Sequence, residues 1–129
     1  MDIVKFVKEE EGFREKPYLD TLGVPTFGIG FTYITEDEAD TILEGRISKI
    51  DTQLQDKYEW YNSLNEIRKA VMISMVYQLG FGGVGKFKKF LAAMAEGDYT
   101  TAAHEMLDSL WARQTPHRAK RQSDMIING

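Results

Sequence analysis

The strongest restriction on how this chain can fold is a change of pattern at Gly12. Before it, Ile3, Phe6 and Val7 lead into Lys8-Glu9-Glu10-Glu11 with the spacing of a short amphipathic helix, and Gly12 is a good stop for one. Across residues 13–31 that period is lost. Pro17, Gly23, Pro25, Gly28 and Gly30 break any helix, whereas Tyr18, Val24, Phe27, Ile29 and Phe31 suit short strands. The pattern predicts a small twisted β-hairpin, or a minimal three-stranded sheet, turning at Asp20-Thr21-Leu22-Gly23.

From Thr35 onward the helical period returns. Thr35-Glu36-Asp37-Glu38 has the form of a capping box, and apolar residues then recur at Ala39, Ile42, Leu43, Ile47, Ile50 and Leu54 to about Lys57. Such a helix is long enough to bridge two lobes. A second box, Ser63-Leu64-Asn65-Glu66, opens a stretch that is apolar nearly all round from Ala70 to Tyr77, the mark of a central buried helix. Gly80, Gly82, Gly83 and Gly85 predict a loop; without a preceding strand or a following Gly-Lys-Ser/Thr it is no phosphate cradle. Further helices are expected over 86–95, over 99–109 with Asp98 as cap, and over 116–127 with Thr115 as cap and Pro116 in the favoured first position. No repeat or low-complexity linker interrupts the series. The fold class is therefore α+β: one domain over 1–129, with a small β-hairpin lobe and long connecting helix (1–57) and a helical lobe (58–129).

At 129 residues, 43% hydrophobic and 28% charged, the chain can bury a real core. It has no cysteine, hence no disulfide framework, thiolate metal site or thiol nucleophile. His104 and His117 are too few and too isolated for a metal cluster, and no metal or cofactor is expected. Net charge is −4, unevenly spread: residues 1–44 carry eleven acids against four bases, and bases gather at Arg113, Arg118, Lys120 and Arg121. That asymmetry is what two differently solvated lobes would show, and the acidic balance argues against nucleic-acid binding. Neither a signal-peptide pattern nor an apolar run of membrane-spanning length is visible, so work outside the cytoplasm would need another route out.

Three consecutive carboxylates, Glu9 to Glu11, close the first helix, where they oppose the helix dipole. A solvated charge run accounts for Glu9 and Glu10. Glu11 abuts the Gly12 stop and points into the junction with the hairpin, where a concave site would form. Glycoside hydrolysis needs one carboxylic acid to protonate the leaving oxygen and a second carboxylate to prepare a water or attack the sugar. Asp20 is the candidate partner of Glu11, although a turn aspartate before Thr21 and Gly23 is also ordinary. Thr26, between Pro25 and Phe27, would by itself be an ordinary strand residue.

The runs Glu11-Gly12-Phe13-Arg14, Tyr18-Leu19-Asp20-Thr21 and Thr26-Phe27-Gly28-Ile29-Gly30 carry a resemblance. They look like the active-site segment of phage-type lysozymes, the endolysins of glycoside hydrolase family 24 found in T-even phages. The family spacing of Glu, eight residues, Asp, five residues and Thr is kept in Glu11, Asp20 and Thr26. Met75-Val76-Tyr77-Gln78-Leu79-Gly80 and the run from Trp111 to Arg121 also resemble family blocks, so the likeness spans nearly the whole chain. It implies a lysozyme-like fold and hydrolysis of the β-1,4 bond from N-acetylmuramic acid to N-acetylglucosamine in peptidoglycan. In that scheme Glu11 is the general acid, Asp20 helps activate the attacking water and Thr26 holds that water on the far face of the sugar. Inversion follows, with the wide carboxyl separation of roughly 6.5–9.5 Å. Arg118 matches the arginine that pairs with the catalytic Glu. Tyr77 and Gln78 match an aromatic and an amide lining the cleft, although a core aromatic and a helix-surface amide are the plain alternatives.

The sequence also departs from its relatives. Only Phe31 to Ile34 stand between Gly30 and the capping Thr35, where better-known members carry another strand and short helix. Phe31 stands where His is common, Thr32 where an apolar residue contacts substrate, and Ser74 where Asn is found. Phe90 and Glu105 replace polar, uncharged cleft contacts; Thr32, Phe90 and Glu105 are retained as candidate substrate residues. The competing readings are a lytic transglycosylase, against which Thr26 speaks, and a glycan-binding module without activity, against which the intact trio speaks. A monomer is expected, with bacterial peptidoglycan as partner and no membrane insertion. The resemblance implies synthesis in a host bacterial cytoplasm and release to the wall through holin pores.

Overall fold

A computed structural model describes every residue from Met1 to Gly129. The contacts divide the chain into two compact units, Met1–Leu43 and Glu44–Gly129.

The first unit opens with helix α1 (Ile3–Glu11). Asp2 caps it, its carboxylate accepting the Lys5 N–H at 3.1 Å. Gly12, at φ +74°, ends it by donating its N–H to the Lys8 carbonyl; a side chain there would be strained in that left-handed backbone. Strands β1 (Arg14–Leu19) and β2 (Pro25–Gly28) then pair antiparallel, with Tyr18 opposite Thr26 and a bulge between Arg14 and Tyr18. Pro17 is tolerated because a two-stranded ribbon leaves its outer edges unpaired. Of the two sheet forms the sequence left open, the structure adopts the hairpin. The third strand is reduced to one bridge, Phe27 to Phe31, closed by two backbone hydrogen bonds of 2.8 Å. Ile3, Val4 and Val7 of α1 line a hollow of about 320 Å³ with Ile29 and Phe31, which sets the far end of the hairpin against the helix.

Helix α2 (Glu36–Lys57) starts at the expected box. Thr35 and Glu38 cap reciprocally: Glu38 N–H donates to Thr35 Oγ1 at 3.2 Å, and Thr35 N–H to Glu38 Oε1 at 3.0 Å. Thr35 Oγ1 also donates to Glu38 Oε1 at 2.8 Å, and the two donors from Thr35, the backbone one foremost, hold the Glu38 carboxyl below its ordinary pKa.

The second unit holds the core. Helix α3 (Glu66–Leu79) buries Val71, Met72, Met75 and Val76, as its apolar sequence predicts. Around it are α4 (Phe81–Gly85), α5 (Lys88–Glu96), α6 (Tyr99–Leu107), α7 (Leu110–Gln114) and α8 (Pro116–Asn128). Leu54, Tyr61, Phe90, Met94, Met106, Trp111 and Ile126 complete the packing. Arg68 ties three helices: its Nε and Nη2 donate to the carbonyls of Ile126 and Ile127, and its guanidinium lies 3.6 Å from the centre of the Tyr99 ring. Last-turn carbonyls of α8 that have no helical partner are thereby satisfied.

Four local expectations are corrected. The cap of α3 is Asn65, whose side chain accepts the Arg68 N–H, because Ser63 is taken up in a 3-10 turn over Glu59–Ser63. The Gly80–Gly85 stretch is helical from Phe81, because buried Val84 anchors it and donates its N–H to the Gly80 carbonyl. The helix expected over 99–109 ends at Leu107, because Ser109 turns to cap a separate helix, accepting the Ala112 N–H. Thr115 does sit before Pro116, yet its hydroxyl points back to the Trp111 carbonyl and caps nothing in α8.

Candidate active site

Glu11, Asp20 and Thr26 all lie in the first unit, on the end of α1, in the hairpin turn and on β2. The turn is built around Asp20. Its Oδ1 accepts the N–H groups of Leu22 and Val24, both at 2.8 Å, and its own N–H donates to the Val24 carbonyl at 3.0 Å. Thr26 Oγ1 donates to that same Val24 carbonyl at 2.9 Å. One residue, Val24, therefore ties both: its N–H holds the Asp20 carboxylate, and its carbonyl receives the Asp20 N–H and the Thr26 hydroxyl. Thr26 is the only buried residue of this unit.

This bonding fixes what each side chain still offers. The one proton of the Thr26 hydroxyl is spent on Val24, so its remaining capacity is as an acceptor. Asp20 Oδ1 is held by two backbone donors, which leaves Oδ2 outside these bonds. Glu11 is exposed, and its carboxylate rests against the backbone of Gly30. Nearby, the Arg14 guanidinium stands 4.7 Å over the Tyr18 ring, on the strand opposite Thr26. Thr32 is exposed in the segment that follows.

The remaining candidates belong to the second unit, each in its own setting. Tyr77, 52% exposed, lines a groove of about 470 Å³ with Arg46, Lys49 and Gly80. Gln78 accepts the indole N–H of Trp111 at 2.8 Å, so its carboxamide oxygen is committed to the fold. Phe90 and Glu105 share a hollow of about 460 Å³ with Lys86, Phe87, Asp108 and Trp111. Phe90 is 1% exposed and packs edge-on against Phe87, while Glu105 is half-buried. Arg118 stands exposed in the first turn of α8. No cluster of His, Asp and Glu that could hold a metal ion is present, and no helix is long and apolar enough to cross a membrane.

Two contributors escaped the sequence reading. Val24 acts through its backbone N–H and carbonyl, which leave no side-chain signature. Gly30 carries a signal, the Gly-X-Gly pair at 28 and 30 within the run that resembles the family segment, but neither its helix-breaking character nor that likeness gives it a part toward Glu11.

A small hairpin unit bearing two carboxylates and a threonine, followed by a helical unit, makes this an α+β protein of lysozyme-like fold. The phage lysozyme family profile matches residues 8–123, and the chain belongs to that family. A Dictyostelium discoideum protein described as "Probable T4-type lysozyme 1" is 33% identical over 123 residues, which cover 93% of this chain and 68% of that protein. "Probable T4-type lysozyme 2" of the same organism is 43% identical over 54% of this chain and 41% of its own length. The "Pre-baseplate central spike protein Gp5" of Enterobacteria phage T4 is 29% identical over the whole chain, which spans 28% of that protein's length.

Proposed function

We propose that this chain is a lysozyme that hydrolyses the β-1,4 bond between N-acetylmuramic acid and N-acetylglucosamine in peptidoglycan, with inversion. Membership of the phage lysozyme family supports the glycosidase class and the wall substrate. The observation that carries the mechanism is the shared use of the Val24 backbone, N–H by Asp20 and carbonyl by Thr26. It leaves Asp20 Oδ2 and Thr26 Oγ1 with acceptor capacity that these bonds do not use. A water giving one O–H to each turns its lone pair outward, toward the anomeric carbon. As the C–O bond breaks, Glu11 gives its proton to the leaving oxygen; as the new C–O bond forms on the opposite face, Asp20 takes the proton from the water. Each group thus acts once, and the product carries the opposite anomeric configuration.

Thr32, Tyr77, Gln78, Phe90 and Glu105 are assigned to substrate contacts on the same proposal. Exposed Tyr77 is suited to stacking on a sugar face, and Phe90, being buried, to shaping the floor beneath one. Synthesis in a host cytoplasm with holin-dependent release belongs to the proposal too.

The test is turbidity clearing of outer-membrane-stripped Gram-negative cells by the wild type beside Glu11→Gln, with the released sugars analysed by mass spectrometry. Clearing that vanishes in the variant and leaves reducing muramic ends supports hydrolysis. Anhydro-muramic ends point instead to a lytic transglycosylase. No clearing by well-folded wild type makes the chain a peptidoglycan-binding module.

A further inference from the structure

Two glycines in the first unit are crowded in a way that the others with left-handed backbone there are not. Gly12 and Gly23, at φ +74° and +78°, have open space where a side chain would begin. Gly28 and Gly30, at φ +60° and +69°, do not. A Cβ on Gly28 would stand 2.6 Å from the Phe31 ring, and one on Gly30 would stand 2.7 Å from Oε2 of Glu11, 3.2 Å from its Cδ and 3.4 Å from its Cγ. Between them runs a three-residue loop, Gly28-Ile29-Gly30, closed at its base by the Phe27–Phe31 bridge.

That loop has a fixed position of its own. The bridge supplies two backbone hydrogen bonds, and the Phe27 and Phe31 rings meet edge to face at 5.7 Å. The Phe31 ring covers Gly28, while Ile29 and Phe31 line a hollow together with Ile3, Val4 and Val7 of α1. Glu11 arrives from the opposite side, at the last position of α1, where Gly12 turns the chain away. An exposed glutamate at a helix end has several rotamers open to it. Here its carboxylate lies beside Gly30, Oε2 foremost, in the space that a side chain at position 30 would enter.

We propose that Gly30 is the positioning residue for Glu11: its missing Cβ forms the seat on which the carboxylate rests. This assignment rests on the reading of Glu11 as general acid. Filling the seat does not require the fold to give way, because the atom displaced is the free end of a side chain. A methyl at position 30 swings the carboxylate aside by the few tenths of an ångström to an ångström that a normal contact needs. Misplacement of a reacting group on that scale costs catalysis up to about a hundredfold. The loss falls on kcat and leaves KM nearly unchanged, since Glu11 acts on the bond being broken.

Gly97, at φ +72° with nothing within 4 Å, is the control, because an alanine there also takes a positive φ but meets no collision. Gly30→Ala and Gly97→Ala are compared for clearing rate at several cell concentrations, and by the carbon-13 carboxyl resonance of Glu11, assigned through its loss in Glu11→Gln. The expected result is a ten- to hundredfold lower maximal rate and a moved Glu11 resonance in Gly30→Ala, with both unchanged in Gly97→Ala. In the wild type, nuclear Overhauser contacts between the Gly30 α-protons and the Glu11 γ-protons are expected, and this measurement stands even if Gly30→Ala fails to fold. An unmoved resonance, a maximal rate equal to that of Gly97→Ala, or absence of those contacts overturns the assignment. If the resonance moves but Glu11→Gln still clears cells, the seat stands and the acid role falls.

Discussion

Replacing Thr26 by valine separates its structural part from its chemical one. Valine keeps the branched shape that a strand favours and exchanges Oγ1 for a methyl in a buried position. The fold loses one neutral hydrogen bond, a net of about 0.5–1.5 kcal/mol. The acceptor is not stranded, because the Val24 carbonyl still receives the Asp20 N–H at 3.0 Å. The loss therefore falls at the lower end, and the melting temperature changes by less than about 4 °C. Thr26→Ser does the reverse: it keeps the hydroxyl and deletes a buried methyl, costing about 1 kcal/mol in lost burial and cavity. If the hydroxyl holds the attacking water, the valine variant clears cells about a hundredfold more slowly, an effect of about 2.7 kcal/mol on the barrier. The serine variant stays within about threefold of wild type. Activity and stability then rank the two variants in opposite orders. Paired calorimetry and clearing assays that rank them in the same order, with valine retaining more than a tenth of the rate, would refute the water-holding role.

Asp20→Asn keeps an oxygen for the Leu22 and Val24 N–H groups, so the turn and the melting temperature are retained, while clearing falls at least about a hundredfold; wild-type clearing in that variant would leave Asp20 a turn residue only. Arg68→Ala removes two charge-assisted hydrogen bonds to α8 and the stack on Tyr99, and is expected to cost about 2 kcal/mol in urea unfolding. A change below about 0.5 kcal/mol would mean that α8 is held by its apolar face alone. Burial, and secondly the hydrogen bond and charge of Asp51, push the Tyr61 phenol well above its ordinary pKa of 10.0; burial alone raises Tyr58. A raised pKa contributes stability that is complete below pH 10 and is lost as pH rises toward the folded value. The wild type should therefore lose stability above pH 10, and Tyr61→Phe should lose less over the same range; identical alkaline profiles would contradict this.

What was legible in the sequence is what nearby residues decide. The change of pattern at Gly12, the Thr35–Glu38 box and the apolar run of α3 are each written within about one turn or a few turns of chain, and each recurs in the structure. The failures lie where two local rules competed for one residue. Ser63 and Asn65 are both good caps, and only the packing of Tyr61 and Leu64, both buried, puts Ser63 into the preceding 3-10 turn. Thr115 has the right type and place for a cap, but the end of α7 takes its hydroxyl first. The glycines at 80, 82, 83 and 85 counsel a loop by propensity, and one buried side chain, Val84, outweighs them.

The site follows the same division. Asp20 invited two readings, a turn aspartate or half of a catalytic pair, and its bonding makes them compatible. One oxygen builds the turn, and the turn's Val24 carbonyl holds the Thr26 hydroxyl in the orientation that leaves it an acceptor. On the proposed mechanism, the residue that shapes the loop and the residue that receives a proton are one side chain with its two oxygens divided between tasks. Glu11, on our proposal, is set differently, by a missing atom at Gly30 on another segment, and no local rule in the sequence joins the two.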